Sequence, residues 1–243
     1  MKINIFVPCF IDQLFPQTAI NMVKILKQFK CDVHYNPSQT CCGQAAYNAG
    51  FGKEAKMVAE KFLQDFDEKT YIVAPSASCV TFVRNYYQNV LKENSEAQKK
   101  AKKIGAKIYE FSDFLVNILK IKHLKAQFQA TATYHDSCSA LRECKIKSAP
   151  RYLLQQVKGL KLEESPNCEV CCGFGGTFSV QYPPLSAAMA HEKIEQIQKH
   201  TTAEYIVSTD WSCLMHLDAY IQKNNLPLKT IHLIDVLAMP KKQ

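Results

Sequence analysis

The sequence of 243 residues predicts an α/β protein built from two pseudo-symmetric modules, each with a largely parallel sheet. Short β-branched and apolar runs alternate with stretches of helical periodicity, which is typical of parallel sheets covered by helices. The tripeptide Cys-Cys-Gly occurs at positions 41–43 and again at 171–173, each time with one cysteine upstream and one downstream. A strand sequence recurs as well, since Tyr71-Ile72-Val73 matches Tyr205-Ile206-Val207. Together these observations predict a duplicated fold with a CCG cysteine set at the carboxyl ends of the strands in each module.

The first module is predicted to contain four strands with helices between them. Apolar residues from Ile20 to Phe29 recur at helical spacing, whereas Ile3–Val7 and Tyr71–Ala74 are short apolar runs. Ser112 and Asp113 have the short polar side chains that cap helices and precede an apolar segment. The predicted strands cover residues 3–7, 31–35, 71–74 and 107–111, and the predicted helices cover 16–29, 45–63, 81–90, 95–103 and 114–119.

The second module repeats this order after a basic, polar segment at 121–129, which is the predicted linker. Residues 1–122 are therefore predicted to form the first CCG module and residues 130–243 the second. Each half is long enough to bury a hydrophobic core without disulfides. The predicted strands cover 132–135, 160–162 and 205–208, the predicted helices cover 152–157 and 184–200, and an apolar segment at 230–237 closes the module.

Two sets of four cysteines recur in the same order at similar spacing. In the first set, 32 residues separate the upstream cysteine from the pair and 37 separate the pair from the downstream cysteine; in the second set, these separations are 33 and 41. Since strand ends meet at one edge of a parallel sheet, we expect each set to converge there. The predicted metal ligands are Cys9, Cys41, Cys42 and Cys79 in the first module and Cys138, Cys171, Cys172 and Cys213 in the second.

Four thiolates suit either a structural zinc ion or an iron–sulfur cluster, and the count alone does not choose between them. Adjacent cysteines suit a disulfide between neighbours poorly, and the glycine after each pair points to a tight turn. Glycine also lets the backbone approach a bulky cluster and donate N–H groups to its sulfurs. The predicted cofactor-binding glycines are Gly43, Gly173, Gly175 and Gly176. Buried apolar thiols, or a redox-active disulfide at Cys41-Cys42, remain the alternatives.

Composition narrows the class of partner. The formal net charge of +8 comes from scattered lysines and a local group around Lys100. The sequence shows neither a basic stripe with interleaved aromatic residues nor a known nucleic-acid-binding module, so no nucleic-acid partner is expected. No run of about 18 apolar residues is present, so no membrane span is predicted, and only peripheral association is left open. Lys2–Val7 reads as a first strand and not as a leader, so we expect a cytoplasmic protein, in which regularly spaced thiols indicate metal or redox chemistry.

Five further residues are candidates for the sites but lie outside the repeat. Cys31 is predicted to be a buried hydrophobe and Cys144 to be structural, while Cys168, in C-x2-C spacing with the second pair, is a spare ligand candidate. His135 and His216 lie three residues from a cysteine but have no histidine counterpart in the first module. We therefore expect both to be histidines with satisfied structural hydrogen bonds.

Several motifs carry a family resemblance that covers essentially the whole chain. They are Cys41-Cys42-Gly43-Gln44 followed by Ala46-Tyr47-Asn48, the run Cys171-Cys172-Gly173-Phe174-Gly175-Gly176-Thr177-Phe178-Ser179-Val180, and Cys213-Leu214-Met215. By these motifs the chain resembles the cysteine-rich CCG-domain family, which includes the CCG-containing component of heterodisulfide reductase, the iron–sulfur subunit of glycolate oxidase and the lactate utilisation A proteins. The resemblance is strongest to the last group.

This resemblance implies an iron–sulfur electron-transfer subunit of a complex that oxidises L-lactate to pyruvate. It implies one or two clusters per chain, of the [4Fe–4S] type, with a zinc-binding, non-redox assembly module as the alternative. The implied partners are a larger iron–sulfur protein and a smaller third subunit, and the chain itself would carry electrons without binding lactate. The heterodisulfide reductase component has an additional cysteine at the positions of Ser76 and Asp210, so a five-cysteine, non-cubane centre is not expected here.

Overall fold

The computed structural model describes residues 1–240 and divides into two compact units. The first unit is Met1–Phe114 and the second begins at Leu115. The division lies before the predicted linker at 121–129. The predicted linker also overlaps a strand, which begins at Gln127.

The first unit alternates strands and helices from its amino terminus. Its elements are β1 (Lys2–Ile5), α1 (Cys9–Leu14), α2 (Pro16–Gln28), β2 (Asp32–Tyr35), α3 (Gln44–Asn48), α4 (Gly52–Asp65), β3 (Tyr71–Ala74), α5 (Ala77–Thr81), a π-helical turn (Phe82–Tyr86), α6 (Tyr87–Val90), α7 (Ser95–Gly105), β4 (Ile108–Glu110) and α8 (Phe111–Asp113). The strands form one parallel sheet in the order β2-β1-β3-β4. Its central residues, among them Ile72 and Val73, are fully buried, as expected for a parallel sheet covered on both faces.

The second unit follows the same plan. Its elements are a π-helical turn (Phe114–Ile118) that begins at the division, β5 (Gln127–Tyr134), a second π-helical turn (Ser139–Glu143), α9 (Ser148–Leu154), β6 (Lys158–Leu162), α10 (Thr177–Gln181), α11 (Pro183–His200), β7 (Tyr205–Ser208), α12 (Trp211–Lys223), β8 (Lys229–His232) and α13 (Leu233–Leu237). Its sheet is parallel in the order β6-β5-β7-β8, which matches the first sheet strand for strand. The predicted fold class of two α/β modules with parallel sheets is therefore confirmed.

Helix boundaries differ from the prediction in several places, of which three affect the cysteine sets or a whole helix. The predicted helix at 45–63 is two helices, because Gly50 at φ +86° interrupts it between α3 and α4. The helix after β3 begins at Ala77, before the predicted start at Thr81. The whole of α12 was not predicted, although Leu214, Leu217 and Ile221 follow helical spacing and are buried.

These differences relocate the single cysteines. Cys9 is the first residue of α1, and Cys79 and Cys213 lie in the first turns of α5 and α12. Each cysteine follows a strand end, as predicted, but the residue that presents the thiol belongs to a helix and not to a loop. Within residues 1–240, no helix combines the length and the apolar character needed to cross a membrane.

Candidate metal centres

Each CCG turn depends on a glycine with a left-handed backbone. Gly43 has φ +90° and Gly173 has φ +95°, a region that residues with a Cβ atom rarely adopt. The turn in the second unit is also crowded, since a Cβ atom on Gly173 would lie 2.7 Å from the carbonyl oxygen of Ser186 and 2.8 Å from Cβ of Met189. In the second unit, therefore, the two cysteines lie on a turn whose third residue has no room for a side chain.

The first cysteine set is connected sulfur to sulfur. The Sγ atoms of Cys9 and Cys41 lie 3.4 Å apart, and Cys42 hydrogen bonds with both Cys41 and Cys79. The backbone N–H of Gly43 donates to Sγ of Cys41 at 3.3 Å. Cys42 is buried, whereas Cys9 at the other end of the set is exposed. The four thiols that the sequence predicted to converge are thus linked by pairwise contacts in the order Cys9, Cys41, Cys42, Cys79.

The contacts polarise the thiols of this set. Hydrogen bonds donated by Cys42 and then Cys9 lower the pKa of Cys41, which is the acceptor in both bonds. The hydrogen bond that Cys9 donates to Cys41 raises the pKa of Cys9. The hydrogen bond between Cys42 and Cys41, followed by that with Cys79 and by burial, raises the pKa of Cys42. Tyr87, which is fully buried, donates its hydroxyl to the carbonyl of Cys42 at 2.8 Å and fixes the turn from below.

The second set has the same connectivity. Cys171 hydrogen bonds with Cys138 and Cys172, and Cys172 hydrogen bonds with Cys213. The N–H of Gly173 donates to Sγ of Cys171 at 3.4 Å. Hydrogen bonds from Cys138 and then Cys172 lower the pKa of Cys171, which is the counterpart of Cys41. The pKa values of Cys138 and Cys172 are raised, in each case first by the hydrogen bond to Cys171.

The two units differ in how far the thiols are shielded and in which N–H groups reach them. Cys172 and Cys213 are both buried, and the N–H of Phe174 donates to Sγ of Cys172 at 3.5 Å. Gly175 and Gly176, at φ +53° and +63°, form the turn that leads into α10. Their predicted role in cofactor binding stays a prediction.

A salt bridge holds the segment that leads to Cys138. The Asp136 carboxylate, 1% exposed, receives two hydrogen bonds from the Arg151 guanidinium, at 2.9 and 2.7 Å. Arg151 also binds Glu164 and lies over the ring of Tyr134, 4.8 Å from its centroid. Bidentate geometry fixes both position and orientation, so the backbone two residues before Cys138 is firmly placed.

A buried lysine next to the second set was not predicted from the sequence. Lys193 on α11 is 1% exposed, and its Nζ donates to the carbonyls of Asn167 at 2.7 Å and Cys168 at 3.4 Å. Within residues 1–240 no carboxylate forms an ion pair with it. Burial lowers the pKa of Lys193, and the nearby sulfurs, that of Cys172 first, oppose this effect. The contact of Cys168 with this lysine is thus made by its carbonyl oxygen and not by its thiol.

The corresponding lysine of the first unit has a different environment. Glu60-Lys61 on α4 matches Glu192-Lys193 on α11, and Lys61 likewise donates to a carbonyl before its CCG turn, that of Ser38 at 3.0 Å. However, Lys61 also forms an ion pair with Asp65, one turn later on its helix. The second unit has Ile197 at that position, so it keeps the cation without the neutralising carboxylate.

The two histidines also differ. His216 hydrogen bonds through Nε2 with Oγ of Ser186 at 3.2 Å, which agrees with the expected structural role. His135 does not agree with it: the residue is 1% exposed, and within residues 1–240 neither ring nitrogen forms a hydrogen bond of normal geometry. One of its nitrogens and the sulfurs of Cys172 and Cys213 lie within 4.8 Å of one another. Its position three residues before Cys138 was the only sequence signal, and the absence of a counterpart in the first module outweighed it.

Comparisons with known proteins agree with the duplication. The family model described as "CCG: Cysteine-rich domain" matches residues 3–84 and 132–218. Lactate utilization protein A of Halalkalibacterium halodurans is 43% identical, across 98% of this chain and 96% of that protein. Lactate utilization protein A 2 of Bacillus cereus strain AH820 is 39% identical, with 98% of each chain covered. Lactate utilization protein A of Anoxybacillus flavithermus is 38% identical, across 98% of this chain and 99% of that protein.

Proposed function

The chain belongs to the CCG cysteine-rich domain family, and from that premise we propose that it acts in lactate utilisation as an iron–sulfur electron-transfer subunit. The support for the lactate role is the name of its relatives, which are 38–43% identical over nearly the full length of both chains. The support for electron transfer comes from the cysteine sets.

The observation that carries the proposal is the presence of two separate groups of four sulfurs in contact, each completed within one unit. The donor chemistry fits an iron–sulfur cluster, since thiolates are its usual ligands. Backbone N–H groups already point at Cys41, Cys171 and Cys172, and such hydrogen bonds stabilise negative charge on sulfur. In the first module the cluster ligands would be Cys9, Cys41, Cys42 and Cys79. In the second module they would be Cys138, Cys171, Cys172 and Cys213.

A bound cluster would supply one-electron redox chemistry, and the protein sets the potential and the access. Burial of Cys42, Cys172 and Cys213 keeps water from the inner side of each set. The N–H donors and the ammonium of Lys193 favour the more negative, reduced state. Cys9 is exposed at the opposite end of the first set, which gives a redox partner a short approach to it.

We further propose that the partners are protein subunits, a larger iron–sulfur protein and a smaller third subunit, as the family resemblance implies. In this scheme the complex oxidises L-lactate to pyruvate, and this chain relays electrons without contacting the substrate. Its role is therefore that of a non-catalytic subunit.

The test is the content of metal and acid-labile sulfide per chain in protein purified without oxygen. Four iron and four sulfide per chain support one [4Fe–4S] cluster, and about eight of each support one in each module. Visible absorption that dithionite bleaches is expected with either result. Protein that contains no iron after anaerobic reconstitution would contradict the proposal.

One observation favours a second candidate, a zinc-binding assembly module that carries no electrons. His135, Cys172 and Cys213 provide nitrogen and sulfur ligands of the kind that structural zinc takes. One zinc per chain without sulfide, together with a loss of thermal stability on chelation, would support this candidate in place of electron transfer.

A further inference from the structure

The backbone of His135 is fixed by the central sheet of the second unit. His135 follows β5, its N–H donates to the carbonyl of Val207 at 2.8 Å, and its own carbonyl accepts from Oγ of Ser208 at 2.9 Å. The imidazole therefore projects from a rigid position at the end of a central strand. Sites on rigid elements hold their ligands more accurately than sites on loops.

The ring lacks the hydrogen bonds expected of a buried histidine. Within residues 1–240, neither buried nitrogen forms a hydrogen bond of normal geometry, and the backbone of Cys168 is the group that interacts with the ring most like a hydrogen-bond partner. A buried polar group without a normal hydrogen bond needs an explanation, and a role in binding an ion is one such explanation. The nearest candidates for a shared ligand are the thiols of Cys172 and Cys213, which lie within 4.8 Å of a ring nitrogen and of each other.

The first unit provides an internal comparison. Phe6 lies three residues before Cys9, as His135 lies three before Cys138, and its N–H donates to the matching carbonyl, that of Val73, at 3.0 Å. The Phe6 ring packs edge-on against Phe62 with centroids 5.0 Å apart. An apolar ring therefore satisfies this position in the fold, and the architecture alone does not require a histidine there.

We propose that His135 is a nitrogen ligand of the metal centre in the second module, which is thereby a mixed imidazole–thiolate site, whereas the first module is an all-thiolate site. This inference rests on the proposed metal binding by the second cysteine set. It makes the two centres chemically different. If the centre is an iron–sulfur cluster, the imidazole takes the place of one of the four cysteines named for this set, with Cys172 and Cys213 remaining as ligands beside it, and the exchange of a thiolate for an imidazole raises the reduction potential.

The test uses the full chain purified without oxygen, with natural and with ¹⁵N-labelled histidine. Pulsed EPR of the dithionite-reduced protein is expected to show a coordinated nitrogen whose coupling changes with the isotope. If the metal is zinc, X-ray absorption at the zinc edge is expected to show a nitrogen ligand beside the sulfurs. The wild-type protein suffices for both measurements, so they do not depend on whether a variant folds.

His135→Phe, which installs the residue found at the same position of the first module, is expected to remove the nitrogen signal. If iron remains, the variant is also expected to lower the potential of one centre. His216→Gln is the control, because its ring already binds Ser186 and the nitrogen signal is expected to persist.

The outcomes separate this inference from the proposed function. Iron with sulfur ligands only would overturn the inference and leave electron transfer standing. Zinc with one nitrogen ligand would support the inference and overturn electron transfer. A nitrogen signal that persists in His135→Phe, or a second module that takes up no metal, would overturn the inference.

Discussion

At the scale of single residues, the CCG turns are specified by their glycines. The turn at Gly173 needs a left-handed backbone and also lies against Ser186 and Met189 of α11. The two requirements are separable, because Gly50 has a similar φ of +86° but, among residues 1–240, no heavy atom within 4 Å of the position of a Cβ. The chain thus offers a matched pair of sites, one crowded and one open.

Gly173→Ala is expected to lower the free energy of unfolding by about 2–4 kcal/mol, the sum of left-handed strain and overpacking against backbone and side-chain atoms. Gly50→Ala should cost only the strain, on the order of 1–2 kcal/mol. Urea denaturation of both variants and the wild type, with metal removed, measures the difference. Equal losses would show that the space around Gly173 plays no part.

Residue identity predicted the thiols but not their surroundings. The eight cysteines were found from spacing alone, because duplication repeats them at matching intervals. The same reasoning did not identify His135 and Lys193, because the two copies differ at these positions. The first unit has Phe6 in place of His135, and its counterpart of Lys193 is Lys61, which forms an ion pair with Asp65. Burial without a partner is a property of the fold, and no local pattern in the sequence reveals it.

At the scale of elements, the capping of the last helix in the first unit differs from the prediction. Ser112 and Asp113 were expected to cap a helix from 114, but α8 begins at Phe111 and Glu110 is its cap. The Glu110 side chain accepts from the N–H groups of Ser112 and Asp113, at 2.8 and 3.2 Å. Propensity rules missed this cap, since a long side chain at a buried strand end is an unusual helix cap. In the second unit, where no cap was predicted for the last helix, His232 occupies the same position and accepts from the N–H of Ile234 at 3.2 Å.

Glu110 should make stability depend on pH. Burial raises its pKa to about 8, above the ordinary value of 4.5, although hydrogen bonds from Ser112 and Asp113 oppose the shift. The folded state therefore binds more protons between these values, so stability is greatest below the lower value and falls as pH rises through the window. The slope from this group is at most about 1.4 kcal/mol per pH unit.

Glu110→Gln is expected to flatten this profile, because the amide oxygen still accepts from the helix but carries no charge. The slope is the readout, since the amide nitrogen would itself lack an acceptor. Urea unfolding across the window, with Glu93→Gln as an exposed control, makes the comparison. Burial is not responsible if the wild type and Glu110→Gln lose stability in parallel as pH rises.

At the scale of the whole molecule, duplication accounts for the fold and divergence for the chemistry. The strand order repeats without exception, so the sequence repeat was sufficient to predict the architecture. The sites have diverged instead: in the second unit, a lysine with no carboxylate partner within residues 1–240 and a buried histidine whose ring nitrogens form no hydrogen bond of normal geometry with those residues lie beside the thiols. If both sets hold clusters, as we propose, these different surroundings would give them different reduction potentials.

Because each cysteine set lies entirely within one compact unit, the two centres should load independently. Cys42 and Cys172 are the buried members of their pairs, and each contacts two other sulfurs of its set. Cys42→Ser is expected to remove the metal of the first module alone, and Cys172→Ser that of the second alone, because serine oxygen is a poor substitute for a soft thiolate ligand. Cys31→Ser, which changes a buried thiol outside both sets, should remove no metal.

Metal and sulfide analysis of the three variants and of the Cys42→Ser/Cys172→Ser double variant measures the metal held by each module. The losses in the two single variants should add up to the loss in the double variant. Complete loss from either single variant would contradict independent sites, and a loss from Cys31→Ser equal to that from Cys42→Ser would show that general destabilisation, and not ligand removal, accounts for the effect.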